Sequence, residues 1–216
     1  MSDAFSHADL LSLTQWLSPA FPTGAFAYSH GLERAIATQS LRDAATLEDW
    51  LTGILLHGAG WQDAVLLSQA LTPGADIDAL DDLARALAPS AERLKETLDQ
   101  GAALARTIAG ITGRNLLTRP LPVALGEAAQ GLDLPKSMVI SLYLQGFASN
   151  LVTVAVRHVP LGQTEGQTVL AQLAPVLTAL AESAAEATLD DLGGAALAAD
   201  LAAFEHETQD VRIFRT

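Results

Sequence analysis

The stretch from Ser18 to Glu33, SPAFPTGAFAYSHGLE, restricts this chain more than any other segment. Pro19 and Pro22 each fix φ near −65° and push the residue before them out of the helical region, which makes an extended lead-in. Thr23 follows as an expected N-cap, and a helix is predicted from Gly24 to about Thr38. In such a helix Gly24 and Gly31 fall on one face, with Ala27 and Ala35 beside them. A glycine inside a helix costs about 1 kcal/mol relative to alanine, so this face reads as one pressed against another backbone. Tyr28, His30 and Glu33 project from the same segment. The pattern is that of a packing or docking element, not of a catalytic centre.

At 216 residues the chain suits one large domain with a substantial core. Half of it is apolar, much of that alanine and leucine, an excess that suits burial in a partner interface. A formal net charge of −13 argues against a nucleic-acid backbone as partner. The absence of cysteine excludes disulfides, thiolate nucleophiles and thiolate metal sites. The N-terminus lacks the basic and apolar regions of a signal peptide, so a cytoplasmic protein is expected.

Helical periodicity runs through nearly the whole chain, and no alternating strand-like run stands out. Helices are predicted over Ala8 to Leu17, Thr46 to Leu71 with a break near Gly58, Ile77 to Leu87, Ala91 to Ile111 and Val123 to Gly131. Pro135 suits the first turn of another helix. That helix, Met138 to Val156, is the one segment open to confusion with a membrane span. Its Ser141, Gln145, Ser149 and Thr153 recur every fourth residue, and Asn150 adds to them. The spacing predicts a buried central helix, closely packed along its small polar side, rather than a lipid-facing one. Thr164 and Gln167 have the spacing of a capping box for a late helix running to Leu189, with a kink expected at Pro175. A last helix ends near His206. The fold class is a single all-α bundle of about eight to ten helices over residues 1–216.

Phosphate loops, dinucleotide fingerprints, nucleophile elbows and HExxH motifs are all missing. His206 and Asp210 have helical spacing, but polar residues near a chain end are more often a solvated turn or a partner contact. His7, His30, His57, His158 and His206 are scattered, so spacing defines no metal site. His30 could pair with Glu33 on one turn, although a histidine hydrogen-bonded at a helix interface is the commoner arrangement. Asp76, Asp78, Asp81 and Asp82 lack the turn glycine and terminal glutamate of a calcium loop and suit a helix N-terminus. Arg106, Arg114, Arg119 and Lys136 are either scattered solvent charge or a docking patch. In the tail, residues 207–216, Arg212 and Arg215 bracket Ile213 and Phe214. Such a segment either frays or orders against a partner, for which arginine and aromatic side chains are favoured anchors.

The Ser18–Glu33 stretch resembles the N-terminal signature of the urease accessory protein F family (UreF). Val123-Ala124-Leu125-Gly126, Asn150 to Arg157 with Pro160 to Gln167, and Glu205 to Thr216 are similar to further blocks of that family. The order and spacing agree over nearly the whole chain. Around Glu92 to Thr97 it departs from the family, whose members are commonly richer in arginine there. The resemblance implies an all-α, non-enzymatic maturation factor without a permanent cofactor. It also implies a homodimer, acting with the D-type (or H-type) accessory protein and the G-type GTPase on apo-urease, so that the complex handles nickel. Carried onto this chain, Pro19, Pro22, Gly24, Phe26, Tyr28, His30, Gly31 and Glu33 shape or present the N-terminal element. Gln163, Thr164, Gly166 and Gln167 set the start of the late helix, and Arg212, Phe214 and Arg215 anchor the tail on the D-type subunit. A GTPase-activating role for a tail arginine and a direct nickel carrier are the alternatives.

Overall fold

Local capping chemistry sets most of the helix boundaries. The computed structural model describes residues 5–209 and 212–215, among which there are ten α-helices and no strand. Helix α1 (His7–Trp16) starts at Ser6, whose hydroxyl accepts the Asp9 N–H at 3.2 Å. Beyond the N-terminal loop and the short α2 (Leu32–Ala37), α3 (Ala44–His57) opens on a reciprocal cap. Asp43 accepts the Thr46 N–H at 2.9 Å, and the Thr46 hydroxyl accepts the Asp43 N–H at 3.1 Å. The break at Gly58 separates α3 from α4 (Ala59–Ala70), as the sequence predicts. Asp76 caps α5 (Ile77–Ala86) and Ser90 caps α6 (Ala91–Thr112). Proline introduces both α7 (Leu121–Ala129) and α8 (Lys136–His158), followed by α9 (Gln163–Glu186) and α10 (Leu197–Glu207).

The helix buried on nearly every side is α4, where Asp63 through Ser68 and Ala70 are all inside. It is packed by α3, α5, α7, α8 and α9, so it, not the Met138–Val156 segment, is the central element. Helix α8 lies alongside α9 and contributes Ile140, Leu144, Ala148 and Leu151 to the main core. Its polar stripe faces outward: Gln145 and Thr153 are exposed, while Ser141, Ser149 and Asn150 are half-buried. The close packing expected along that stripe is therefore only partial. Small hydroxyls at four-residue spacing satisfy themselves on their own helix, as Thr153 does on the Ser149 carbonyl at 2.9 Å, and need no neighbour. Helices α8 and α9 are long and apolar enough to cross a membrane by composition, and here their apolar faces pack within the bundle.

Helix α9 begins four residues earlier than predicted, with Gly162 at its N-cap. The Glu165 carboxylate accepts the Gly162 N–H at 2.8 Å, so the Thr164–Gln167 capping box does not form. Glutamate three residues into a helix outcompetes glutamine there because its charge also favours the helix N-terminus. Gly166 allows α9 to approach Val152 and Val156 of α8, and the helix runs on through Pro175 on its solvent side.

The segment 113–120 returns along α6 outside any helix and passes directly over Gly101. A Cβ on Gly101 would lie 1.9 Å from the Arg119 carbonyl oxygen, a backbone atom that a rotamer change does not move. Gly101→Ala should therefore destabilise the protein by about 2–3 kcal/mol in urea unfolding, despite alanine's helix preference of about 1 kcal/mol. Unchanged or increased stability would contradict this close approach.

Candidate functional site: the N-terminal loop and the C-terminal tail

The Ser18–Glu33 stretch is not one helix. Gly24 (φ 76°) and Gly31 (φ 75°) are both left-handed, and so is His30 (φ 51°), a conformation that no right-handed helix accommodates. The chain instead makes a single 3₁₀ turn at Ala25–Ala27, extends through Tyr28, and reverses at His30–Gly31 into α2. The Thr23 cap and the shared glycine face are thus absent, since Gly24 occupies the N-cap with no side-chain bond. Phe21 anchors the loop in the core, and Asn150 of α8 donates to the Ala25 carbonyl at 2.8 Å. Gly31 also lets α10 come close: a Cβ there would sit 2.9 Å from the Ala199 carbonyl oxygen.

This path turns Tyr28, His30 and Glu33 inward, each toward a different partner. Tyr28 is buried and its hydroxyl donates to Asp99 at 3.2 Å. Burial pushes its phenol upward, aided by Asp99 and Glu96 against a hydrogen bond from Arg215. His30 meets Glu96 of α6 at 2.9 Å, and its ring stands edge-on to Phe147 at 4.8 Å. His30 therefore does not pair with Glu33; it is the histidine at a helix interface. The exposed aromatic of the motif is Phe26, at 63%.

Glu96 belongs to a buried polar chain. Arg93 reaches Asp63 of α4 at 2.6 Å and Glu96 at 3.2 Å, Gln100 donates to Glu96 at 2.9 Å, and the Tyr143 hydroxyl of α8 donates to Asp63. Burial would raise the Glu96 carboxyl, but His30 and Arg93 beside it hold it at about 2. Burial likewise opposes the Arg93 charge, and the carboxylates of Asp63 and Glu96 overcome it, raising its proton affinity. Burial also pushes the Tyr143 phenol well up. Cavities of about 300 Å³ under the loop and about 260 Å³ beside α10 both reach His30, Arg93 and Glu96.

Glu33 carries the tail. Its carboxylate accepts the N–H groups of Ile213 and Phe214, each at 2.9 Å, and faces His206 Nε2 at 3.1 Å. Burial would raise its carboxyl, yet these two amides and His206 bring it below the ordinary range. Arg212 pairs with Glu92 at 2.6 Å, and Phe214 enters the main core with its ring edge-on to His158 at 5.0 Å. The Arg215 N–H donates to Ala27 at 2.8 Å, which joins the tail to the N-terminal loop. Arg212 and Arg215 are exposed; Phe214 is not.

Other predicted residues lie elsewhere. Pro19 and Pro22 are exposed on the loop, and Gln163, Thr164 and Gln167 are exposed on the first turns of α9. Asp210 lies outside the described residues, among which no group of three metal-ligating side chains is found. The residues missed by sequence reasoning are Glu92, Arg93, Glu96, Asp99 and Gln100. Their signal was available: Glu92, Glu96 and Gln100 recur every four residues along α6, a polar stripe on a helix that needs to bury one face.

These features define an all-α protein whose N-terminal loop and C-terminal tail are locked into one surface by buried carboxylates. The UreF family model matches residues 41–174, well over half of the chain. The urease accessory protein UreF of Cereibacter sphaeroides (strain ATCC 17029) is 63% identical over 209 residues, covering 97% of this chain and 99% of that protein. That of Jannaschia sp. (strain CCS1) is 51% identical over 99% of this chain and 97% of its own length. The UreF of Paracoccus denitrificans (strain Pd 1222) is 52% identical over the full length of both. The chain belongs to the UreF family of urease accessory proteins, as its motifs indicated, and its role lies in urease maturation.

Because Glu96 has a folded value of about 2 against an ordinary 4.5, its contribution to stability is complete above about pH 4.5 and fades as pH falls toward 2. Glu96→Gln should cost about 3 kcal/mol at pH 7, by leaving Arg93 and His30 short of an anion, and should flatten this acid limb. Chemical unfolding across that pH range is the check. An unaltered acid limb would mean that Glu96 is not the linked group.

Proposed function

We propose that this chain is a non-enzymatic maturation factor that bridges the D-type accessory protein and the G-type GTPase on apo-urease, so that nickel reaches the urease active site. In this reading it works in the cytoplasm as a homodimer, holds no resident cofactor, and treats nickel as cargo of the complex. The observation that carries the proposal is the join between Arg215 and Ala27. It sets two exposed apolar side chains, Phe26 and Ile213, beside the exposed arginines Arg212, Arg215 and Arg157. On a chain of net charge −13, that is an apolar face edged by arginines, suited to a partner with acidic and apolar groups. Partner-binding roles for Arg212 and Arg215 are direct in this scheme. Tyr28, His30, Glu33 and Phe214 act by holding the face in shape.

The test is co-purification of the D-type protein with Phe26→Ala and Arg215→Ala variants, with circular dichroism as the control for folding. Each should weaken the complex about thirtyfold, the ~2 kcal/mol of an interface anchor, with helical content unchanged. Wild-type affinity in both variants would refute docking through this face. GTP hydrolysis by the G-type partner should not fall with Arg215→Ala; a collapse of hydrolysis with the complex intact would favour the arginine-finger alternative.

A further inference from the structure

Phe, Trp and Tyr make up 5% of the chain, yet Trp16, Phe21, Phe26, Tyr143 and Phe147 all border the cavity of about 300 Å³ beneath the N-terminal loop. Small-molecule sites of this size combine apolar walls with a few placed polar groups. Trp16, Phe21 and Tyr143 are buried, whereas Pro19, Phe26 and Arg157 are exposed. The cavity therefore opens between the loop and the last turn of α8. Tyr143, Phe147, Asn150 and Arg157 follow one another along a single face of that helix, which makes the cavity a slot beside it.

Two polar groups on its wall are uncommitted. Gln100 is buried, and its amide nitrogen donates to Glu96 at 2.9 Å. Its carbonyl oxygen accepts no hydrogen bond from any described residue and calls for an N–H or O–H donor within the cavity. At the mouth, Arg157 forms no ion pair with any described residue. The other guanidinium on the wall, that of Arg93, is already spent on Asp63 and Glu96. An anionic group therefore belongs at the mouth, on Arg157, and not in the interior, where Glu96 would repel it. We infer that this cavity binds a small aromatic carboxylate. Its planar body lies among the five aromatic side chains, and its carboxylate pairs with Arg157. An N–H or O–H on the ring system donates to the Gln100 carbonyl. An indole carrying a short carboxylate chain has all three features.

The experiment is a titration of the full chain with indole-3-butyrate, read by calorimetry and by amide NMR shifts. Binding should saturate at one ligand per chain, with the shifts concentrated in the loop, α6 and α8. Arg157→Ala changes an exposed side chain, so its helical content by circular dichroism should match wild type. It should weaken binding about fivefold through loss of the ion pair at the mouth. The 1-methyl analogue of the probe, which has no indole N–H, should bind wild-type protein about tenfold more weakly, because the Gln100 carbonyl then meets no donor. Failure to saturate, or shifts that miss the cavity, would overturn the proposal. So would wild-type affinity in Arg157→Ala, or equal affinity for the two probes.

Discussion

Glu96 is buried and ionised, and a charge in that position has to be met by other charges and hydrogen bonds. Two elements meet it directly, and two more join through Arg93. His30 comes from the N-terminal loop, Arg93 and Gln100 from its own helix, and through Arg93 the network extends to Asp63 of α4 and Tyr143 of α8. Left-handed backbone at His30 is unfavourable for a residue with a side chain. It persists because the ring is held by Glu96 on one side and Phe147 on another. The loop's path, and with it the start of α2, depends on that buried carboxylate.

Once α2 is placed, Glu33 is placed, and the far end of the chain follows. Two tail amides, His206 and the close approach of α10 at Gly31 all converge on the first turn of a six-residue helix. A helix that short has little stability of its own, so its partners hold it as much as it holds them. Residues near both termini are thus tied to one another, and Phe21, Leu32 and Phe214 join them to the main core. Segments tied by a few polar contacts open more readily than a core does.

What the sequence made legible was local. Turn residues, prolines and caps located the α3–α4 break, the limits of α5 and α6, and the start of α8, because each depends on chemistry within four residues. In the Ser18–Glu33 stretch, two glycines seven apart suit a helix face and a pair of left-handed turns equally well. Only the contact of His30 with a residue 66 positions away selects the second. Likewise, the sequence offers His30 as a neighbour for Glu33, whereas its actual partner, His206, lies 173 positions away. The α6 carboxylates gave a periodic signal, but periodicity states which face they share and not what that face meets. Family membership was legible throughout, since motif identity survives an error about the shape of the motif.

Urease activity and nickel content, measured at fixed urease expression in cells carrying wild-type protein, Glu33→Ala or no copy of this gene, test the account most directly. Cells without the gene should hold abundant but nickel-poor urease. Nearly the same defect is expected with Glu33→Ala, although that protein remains folded and abundant. Full nickel loading with Glu33→Ala, in a protein whose tail is shown to be released, would contradict the claim that the two joined ends are the working surface.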